Sequence, residues 1–195
     1  MSEQLQTLDR WLVVAANSHR TPWLDAVMIF FTEREVWFPA YFVLVVVVSY
    51  LFGRRAIVLL PLLAASVGLA DLTSSRFFKP YFGRLRPCHD PELSATLNLI
   101  HGCGGQFGFI SSHAANAFAF AVFMNLVLPR RYRAAKWLLL VWALLVSYSR
   151  IYLAAHFASD VVAGAALGSL LAWLGVTIYK RYTRLIHSDA LAKVH

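Results

Sequence analysis

Residues 36–70 read VWFPAYFVLVVVVSYLF, then GRR, then AIVLLPLLAASVGLA: two runs without a charge, joined by Gly53, Arg54 and Arg55. A soluble core cannot hide so continuous an apolar surface, whereas a bilayer solvates it. Working outward, the same pattern returns at Ala114–Leu128, Trp137–Ser149 and Val161–Tyr179. At about 1.5 Å per residue, a hydrocarbon core of roughly 30 Å takes ~20 residues. Only Val36–Phe52 and Val161–Tyr179 approach that length, so the three shorter runs are expected to extend into their polar flanks, Leu72–Phe78, Gly108–His113 and Arg150–Ala155. The whole chain agrees: 195 residues, 59% hydrophobic and 14% charged, with mean hydropathy +0.59, against about 25% charged in a soluble domain. The expected fold is an all-α polytopic membrane bundle of five to six transmembrane helices in one domain. Within it, residues 1–35 form an N-terminal amphipathic arm, 36–181 the transmembrane bundle and 182–195 a cytoplasmic tail.

A net charge of +8 would suggest nucleic acid in a soluble protein, but its placement argues otherwise. Arg54 and Arg55, then Arg130, Arg131, Arg133 and Lys136, then Lys180, Arg181, Arg184 and Lys193 each follow an apolar run. That alternation is the positive-inside pattern, and no aromatic-interleaved basic groove accompanies it, so nucleic acid is not expected as a partner. The arm carries Glu3, Asp9, Asp25, Glu33 and Glu35 against Arg10, Arg20 and Arg34. Lacking a positive bias, it reads as interfacial helices on the outer side, the alternative being a sixth re-entrant or spanning helix. No removable signal-peptide pattern is present.

The longest outer connection, about Gly83 to Gly108, holds both cysteines, Cys88 and Cys103. An oxidising outer face permits a bridge and a reducing one leaves two thiols; the sequence leaves both open. Neither CxxC nor Cys/His zinc spacing occurs, and Gly102-Cys103-Gly104-Gly105 lacks the lysine and following helix of a phosphate loop. Gly164 and Gly168 in the last run, and Ala115, Ala117, Ala119 and Ala121 in the third, form smooth faces for close helix contact. Packing within the chain is the expected use, and the oligomeric state stays undetermined.

The chemistry gathers at the opposite end from the basic loops. Lys79, Arg84 and Arg86 follow the second run, Ser111, Ser112 and His113 precede the third, and Arg150, His156 and Asp160 lie between the fourth and fifth. Cations, hydroxyls and imidazoles in this number suit a tetrahedral oxyanion, whose oxygens each accept charge-assisted hydrogen bonds. His156 and Asp160 are four apart, so on one helix face the carboxylate can orient the ring and leave the other nitrogen bare as a nucleophile. His113, beside two serines at a helix start, is the candidate acid for a departing oxygen. So many cations disfavour a divalent metal, and no cofactor is expected.

These residues fall into three signatures: Lys79-x6-Arg86-Pro87, Ser111-Ser112-His113, and Ser149-Arg150-x5-His156-x3-Asp160. The chain resembles the type 2 phosphatidic acid phosphatase (PAP2) superfamily of membrane lipid phosphatases, over about residues 79 to 160 with the spans around them and without the N-terminal arm. The departures are Ile110 and Ser112, which stand where the family commonly has proline and glycine. The resemblance implies that Lys79, Arg86, Ser111 and Arg150 hold the phosphoryl group; Ser112, a departure from the family, is expected to add a hydroxyl donor to phosphate or to narrow the site. By the same resemblance His156 attacks, Asp160 orients it and His113 protonates the leaving group. It further implies a metal-independent lipid phosphate or pyrophosphate phosphatase in a bacterial inner membrane, acting on its outer face. The substrates it admits are undecaprenyl pyrophosphate, phosphatidylglycerophosphate, phosphatidate or a lipid A phosphate.

Overall fold

The computed structural model describes residues 3–192, with side chains described as far as Leu185. It is helical throughout, with one isolated bridge, Leu85 to Phe107, in place of any strand among the described residues. The elements are α1 (Glu3–Ser18), α2 (Pro22–Thr32), α3 (Phe38–Phe52), α4 (Ala56–Leu72), α5 (Lys79–Phe82), α6 (Ser112–Val127), α7 (Arg133–Tyr152) and α8 (Ala158–Ala192). Three helical stretches are long and apolar enough to cross a membrane: Glu35–Phe82, Arg130–Tyr152 and Ala158–Leu185. The first reverses at Gly53, whose φ of +53° is a conformation that favours glycine. Trp37 and Asp71 thus line the same cavity as Val45 and Leu60, the pairing of two antiparallel helices.

The flanks resolve differently from one another. As expected, α4 runs on through a π-helical stretch, Thr73–Phe78, into α5, which stops where Gly83 takes φ +57°. Helix α7 likewise takes up Arg150 and ends at Tyr152. The third span departs from expectation: α6 begins at Ser112, not Gly108, because Ser111 adopts extended backbone and caps the helix, its Oγ accepting from Ala114 N at 3.4 Å. Sixteen residues give α6 about 24 Å, short of the roughly 30 Å hydrocarbon core. The residues after Tyr152 also leave the helix, and α8 starts only at Ala158, continuing past Tyr179 to Ala192. The last of the expected tail, residues 193–195, lies outside the described residues.

Helices α6 and α8 start at the same end and pack with almost nothing between them. A Cβ on Gly164 would sit 2.4 Å from the Ser111 carbonyl oxygen, and one on Gly168 would sit 2.0 Å from that of Ala115. Opposite them Ala114, Ala115 and Ala119 are fully buried. Gly175 makes the corresponding approach to Ser66 of α4, at 2.3 Å. Small residues therefore bring α4, α6 and α8 together, as close contact in lipid requires.

The arm departs most from expectation. Helix α1 buries Asp9, Val13 and Asn17, at i, i+4 and i+8, while Leu8 and Trp11 are exposed. Its polar stripe, not its apolar one, faces the protein. Asn17 donates to the Tyr152 carbonyl at 2.9 Å and pairs with the backbone of Asn98 in both directions. Asp25 of α2 accepts from Arg20 and from the Tyr152 hydroxyl, both at 2.6 Å. The arm is a bonded part of the end of the bundle where α7 finishes and α8 begins.

The glycine approach has a measurable cost. Gly168→Ala must force α6 and α8 apart, and overpacking of this kind costs about 1–3 kcal/mol. Thermal unfolding in detergent should therefore show a clear drop for Gly168→Ala and almost none for Gly102→Ala, where no atom lies within 4 Å of the new methyl.

Candidate active site

The three signatures meet at the end of the bundle where α4 and α7 finish and α6 and α8 begin. Asp160 is wholly buried and accepts three hydrogen bonds on one carboxylate and one carbonyl. Its Oδ1 takes Arg84 Nη1 at 2.6 Å, its Oδ2 takes the Phe157 amide at 3.0 Å, and its backbone carbonyl takes the Ser111 amide at 3.0 Å. This hooks the start of α6 to the start of α8. His156 Nδ1 stands 3.6 Å from Oδ2, beyond hydrogen-bond distance, and is buried without a hydrogen-bond partner. Gly108 closes one side: a Cβ there would lie 3.1 Å from Asp160 Oδ2, 3.2 Å from Arg86 Cγ and 3.5 Å from His156 Nδ1.

Arg86 is buried against carbonyls, donating to Phe107 O at 3.2 Å and Cys103 O at 3.1 Å. Cys103 is disulfide-bonded to Cys88, with 6.1 Å between their Cα atoms, so the bridge holds the carbonyl that aims this guanidinium. Arg150 is also buried; it donates to Thr32 Oγ1 of the arm, and its Nε has no partner. Lys79 lies near enough to Arg86, Arg150 and Asp71 for their charges to act on it. Among the described residues, none of these three cations has a carboxylate within ion-pair distance. Partly or wholly buried positive charge left unpaired is costly, and an anion is the group that offsets it.

His156 is 1% exposed. Burial first, then the charges of Arg86, Arg150, Lys79 and His113, hold its pKa well below the ordinary imidazole value. That direction favours the neutral ring. Ser111 and Ser112 are buried at the head of α6; Ser74 Oγ, from the π-helical stretch, donates to Ser112 Oγ at 2.8 Å. His113 faces a cavity of about 820 Å³ whose walls are mostly apolar residues of α3, α4, α6 and α7.

One cation changes role. The sequence groups Arg84 with the anion-binding set, but both its terminal nitrogens are committed to carboxylates, Asp160 at 2.6 Å and Asp9 at 2.7 Å. Asp9, 1% exposed, also accepts from the Ser159 amide at 2.9 Å and from the Ser159 hydroxyl. Sequence reasoning missed Asp9, Thr32 and Gly108. For Asp9 the signal was present in the polar stripe with Asn17.

A model of the PAP2 superfamily matches residues 55–184. The chain belongs to the PAP2 superfamily. It is therefore a PAP2-type phosphatase, a hydrolase, built as a helical membrane bundle. It is similar to the lipid A 4'-phosphatase of Bacteroides thetaiotaomicron, 33% identical over 192 residues, covering 97% of this chain and 84% of the relative. The lipid A 4'-phosphatase of Porphyromonas gingivalis is 29% identical over 92% of this chain and 75% of its own length. Among solved structures, the transmembrane PAP2 type phosphatidylglycerolphosphate phosphatase from Bacillus subtilis superposes with TM-score 0.66 at 27% identity, covering 92% of this chain and 88% of that one. The PAP2 model starts after the arm, but the Bacteroides match takes in 97% of the chain. The likeness thus reaches past the span of the three signatures and into the arm.

Asp9 keeps Arg84 from neutralising Asp160 alone. Asp9→Asn should lower kcat more than 10-fold with KM changed little, since breaking a buried pair acts here on the orienting carboxylate and not on the anion site. Asp9→Glu should recover part of kcat. A KM rise without a fall in kcat would contradict this.

Proposed function

We propose that this PAP2 phosphatase hydrolyses a lipid-linked phosphate without metal, through a phosphohistidine, at the outer face of a bacterial inner membrane. The observation that carries the reading is the cluster of Lys79, Arg86 and Arg150, unpaired by any described carboxylate and facing the neutral His156. In the first displacement, His156 Nε2 forms a bond to phosphorus and the bond to the leaving oxygen breaks, His113 giving that oxygen its proton. In the second, His113 takes a proton from water as the water oxygen attacks phosphorus, and the P–N bond breaks to release phosphate and free His156. Lys79, Arg86, Arg150 and the hydroxyls of Ser111 and Ser112 surround the phosphoryl oxygens; each such donor is worth roughly 10²–10³ in rate. Asp160 positions the ring and stabilises its developing charge.

For the lipid, we propose a lipid A-type phosphate, supported by the extent of the likeness to the two lipid A 4'-phosphatases. The apolar cavity beside His113 is the place for the lipid's hydrocarbon.

Two measurements test this. Assayed in EDTA, His156→Ala should lose turnover and any acid-labile phosphoenzyme. His113→Ala should recover much of its lost rate when the leaving group is an activated phenol. Equal losses of His113→Ala on both leaving groups, or loss of wild-type activity in EDTA, would refute the mechanism.

Orientation follows from the charge pattern. With Cys88 and Cys103 replaced by serine, a cysteine at exposed Leu99 should react with a membrane-impermeant thiol reagent in cells whose outer membrane is permeabilised. One at exposed Ala134, within the basic loop, should not. The reverse result would put the site in the cytoplasm.

A further inference from the structure

The cavity beside His113 is apolar over most of its depth, where Leu44 and Val45 of α3 stand opposite Leu60 and Val67 of α4. At its upper end the lining changes. Asp71, on the last turn of α4, and Asn116, one turn beyond His113 on α6, face each other across the wall, and Asn116 Nδ2 donates to Asp71 Oδ1 at 3.0 Å. A carboxylate only accepts, so the amide must turn its NH₂ toward Asp71 and its oxygen away. That oxygen is buried without a partner. Among the described residues, no Lys, Arg or His nitrogen lies within ion-pair distance of Asp71; the Ser74 and Ser75 hydroxyls donate to its backbone carbonyl, and Asn116 is the one described side chain that donates to its carboxylate. A carboxylate and an orphaned amide oxygen at the edge of an apolar, membrane-embedded cavity are expensive, and such groups mark ligand sites by default.

The pair offers the carboxylate oxygens and the amide oxygen as acceptors against one remaining amide N–H, so it complements chiefly a ligand that brings O–H or N–H groups. Its place says which part of the ligand that is. Asn116 stands three residues from His113 on the same face, about 5–6 Å between Cβ atoms, the span of one sugar ring. We propose that Asp71 and Asn116 form an acceptor site for hydroxyl or amide N–H groups on the leaving group. The site selects phosphates carried on a carbohydrate-like unit over phosphates carried on a diacylglycerol or a hydrocarbon chain. This deepens the phosphatase reading and rests on it, because it takes His113 as the neighbour of the leaving oxygen. The energetic logic is asymmetric: a ligand without donors covers the half-buried carboxylate and leaves the Asn116 amide oxygen without a partner, and a site built for hydrogen bonds rejects it strongly.

The test compares two substrates on the same preparation of each protein, which makes the result independent of the fraction folded. One is a synthetic lipid with its phosphate on an N-acylglucosamine ring; the other is dioleoyl phosphatidate, whose diacylglycerol leaving group has no donor. Wild type should favour the aminosugar lipid in kcat/KM, and Asp71→Asn and Asn116→Ala should each shrink that preference by about 10- to 100-fold. A preference unaltered in both variants, or none in wild type, would overturn the acceptor site and leave the phosphatase reading standing. So would a loss in both variants shared equally by the two lipids, which would put Asp71 in the service of the phosphate cations. A wild-type protein that releases phosphate from neither lipid nor from an aryl phosphate would overturn the parent reading, and this inference with it.

Discussion

The approach of α6 to α8, close enough that backbone meets backbone, is the constraint on which the active end depends. Gly164 and Gly168 remove the side chains that would hold the helices apart, and the Ser111 amide then reaches the Asp160 carbonyl at 3.0 Å. One contact thereby aligns two signatures: the serines and His113 at the head of α6, and the His156–Asp160 pair at the head of α8. Neither signature has to be rigid alone, because each is clamped by the other's backbone. The stripe of alanines on α6 is the same device seen from its partner.

Charge at this end is divided into two sets. Arg84 is fully spent between Asp9 and Asp160, a structural cation that lends the orienting carboxylate a fixed position while a second carboxylate shares its charge. Lys79, Arg86 and Arg150 have no described carboxylate within ion-pair distance; the hydrogen bonds of Arg86 go to carbonyls and that of Arg150 to a hydroxyl. The difference between a cation that holds the protein together and one that awaits an anion is thus visible in its partners, where residue type and location alone do not separate them.

Much of this was legible in the sequence. Uncharged runs gave the helices, and the three signatures pointed to one end of the bundle; the spacing of His156 and Asp160 was read as one helix face, whereas α8 starts only at Ala158 and His156 stands on the turn before it. Two things were hidden for physical reasons. Arg84 looked like its neighbour Arg86 because its partner Asp9 lies 75 residues away, and no local pattern reports a pairing at that distance. The arm was read as interfacial helices from its charge balance, which does not tell which face meets the rest of the chain. The Asp9–Val13–Asn17 stripe, opposite exposed Leu8 and Trp11, is the face that docks. The start of α6 was misplaced because apolar periodicity does not register a cap; only the extended backbone at Ser111 sets the boundary.

The docked arm also bears on the order in which the molecule can be completed. Helix α1 is made well before α8, yet Asp9 bonds to Arg84 and, 150 residues on, to Ser159. Its polar face therefore has its full set of partners only once the start of α8 has been made. A segment synthesised early completes its docking late, and that docking registers that the head of α8 is in place.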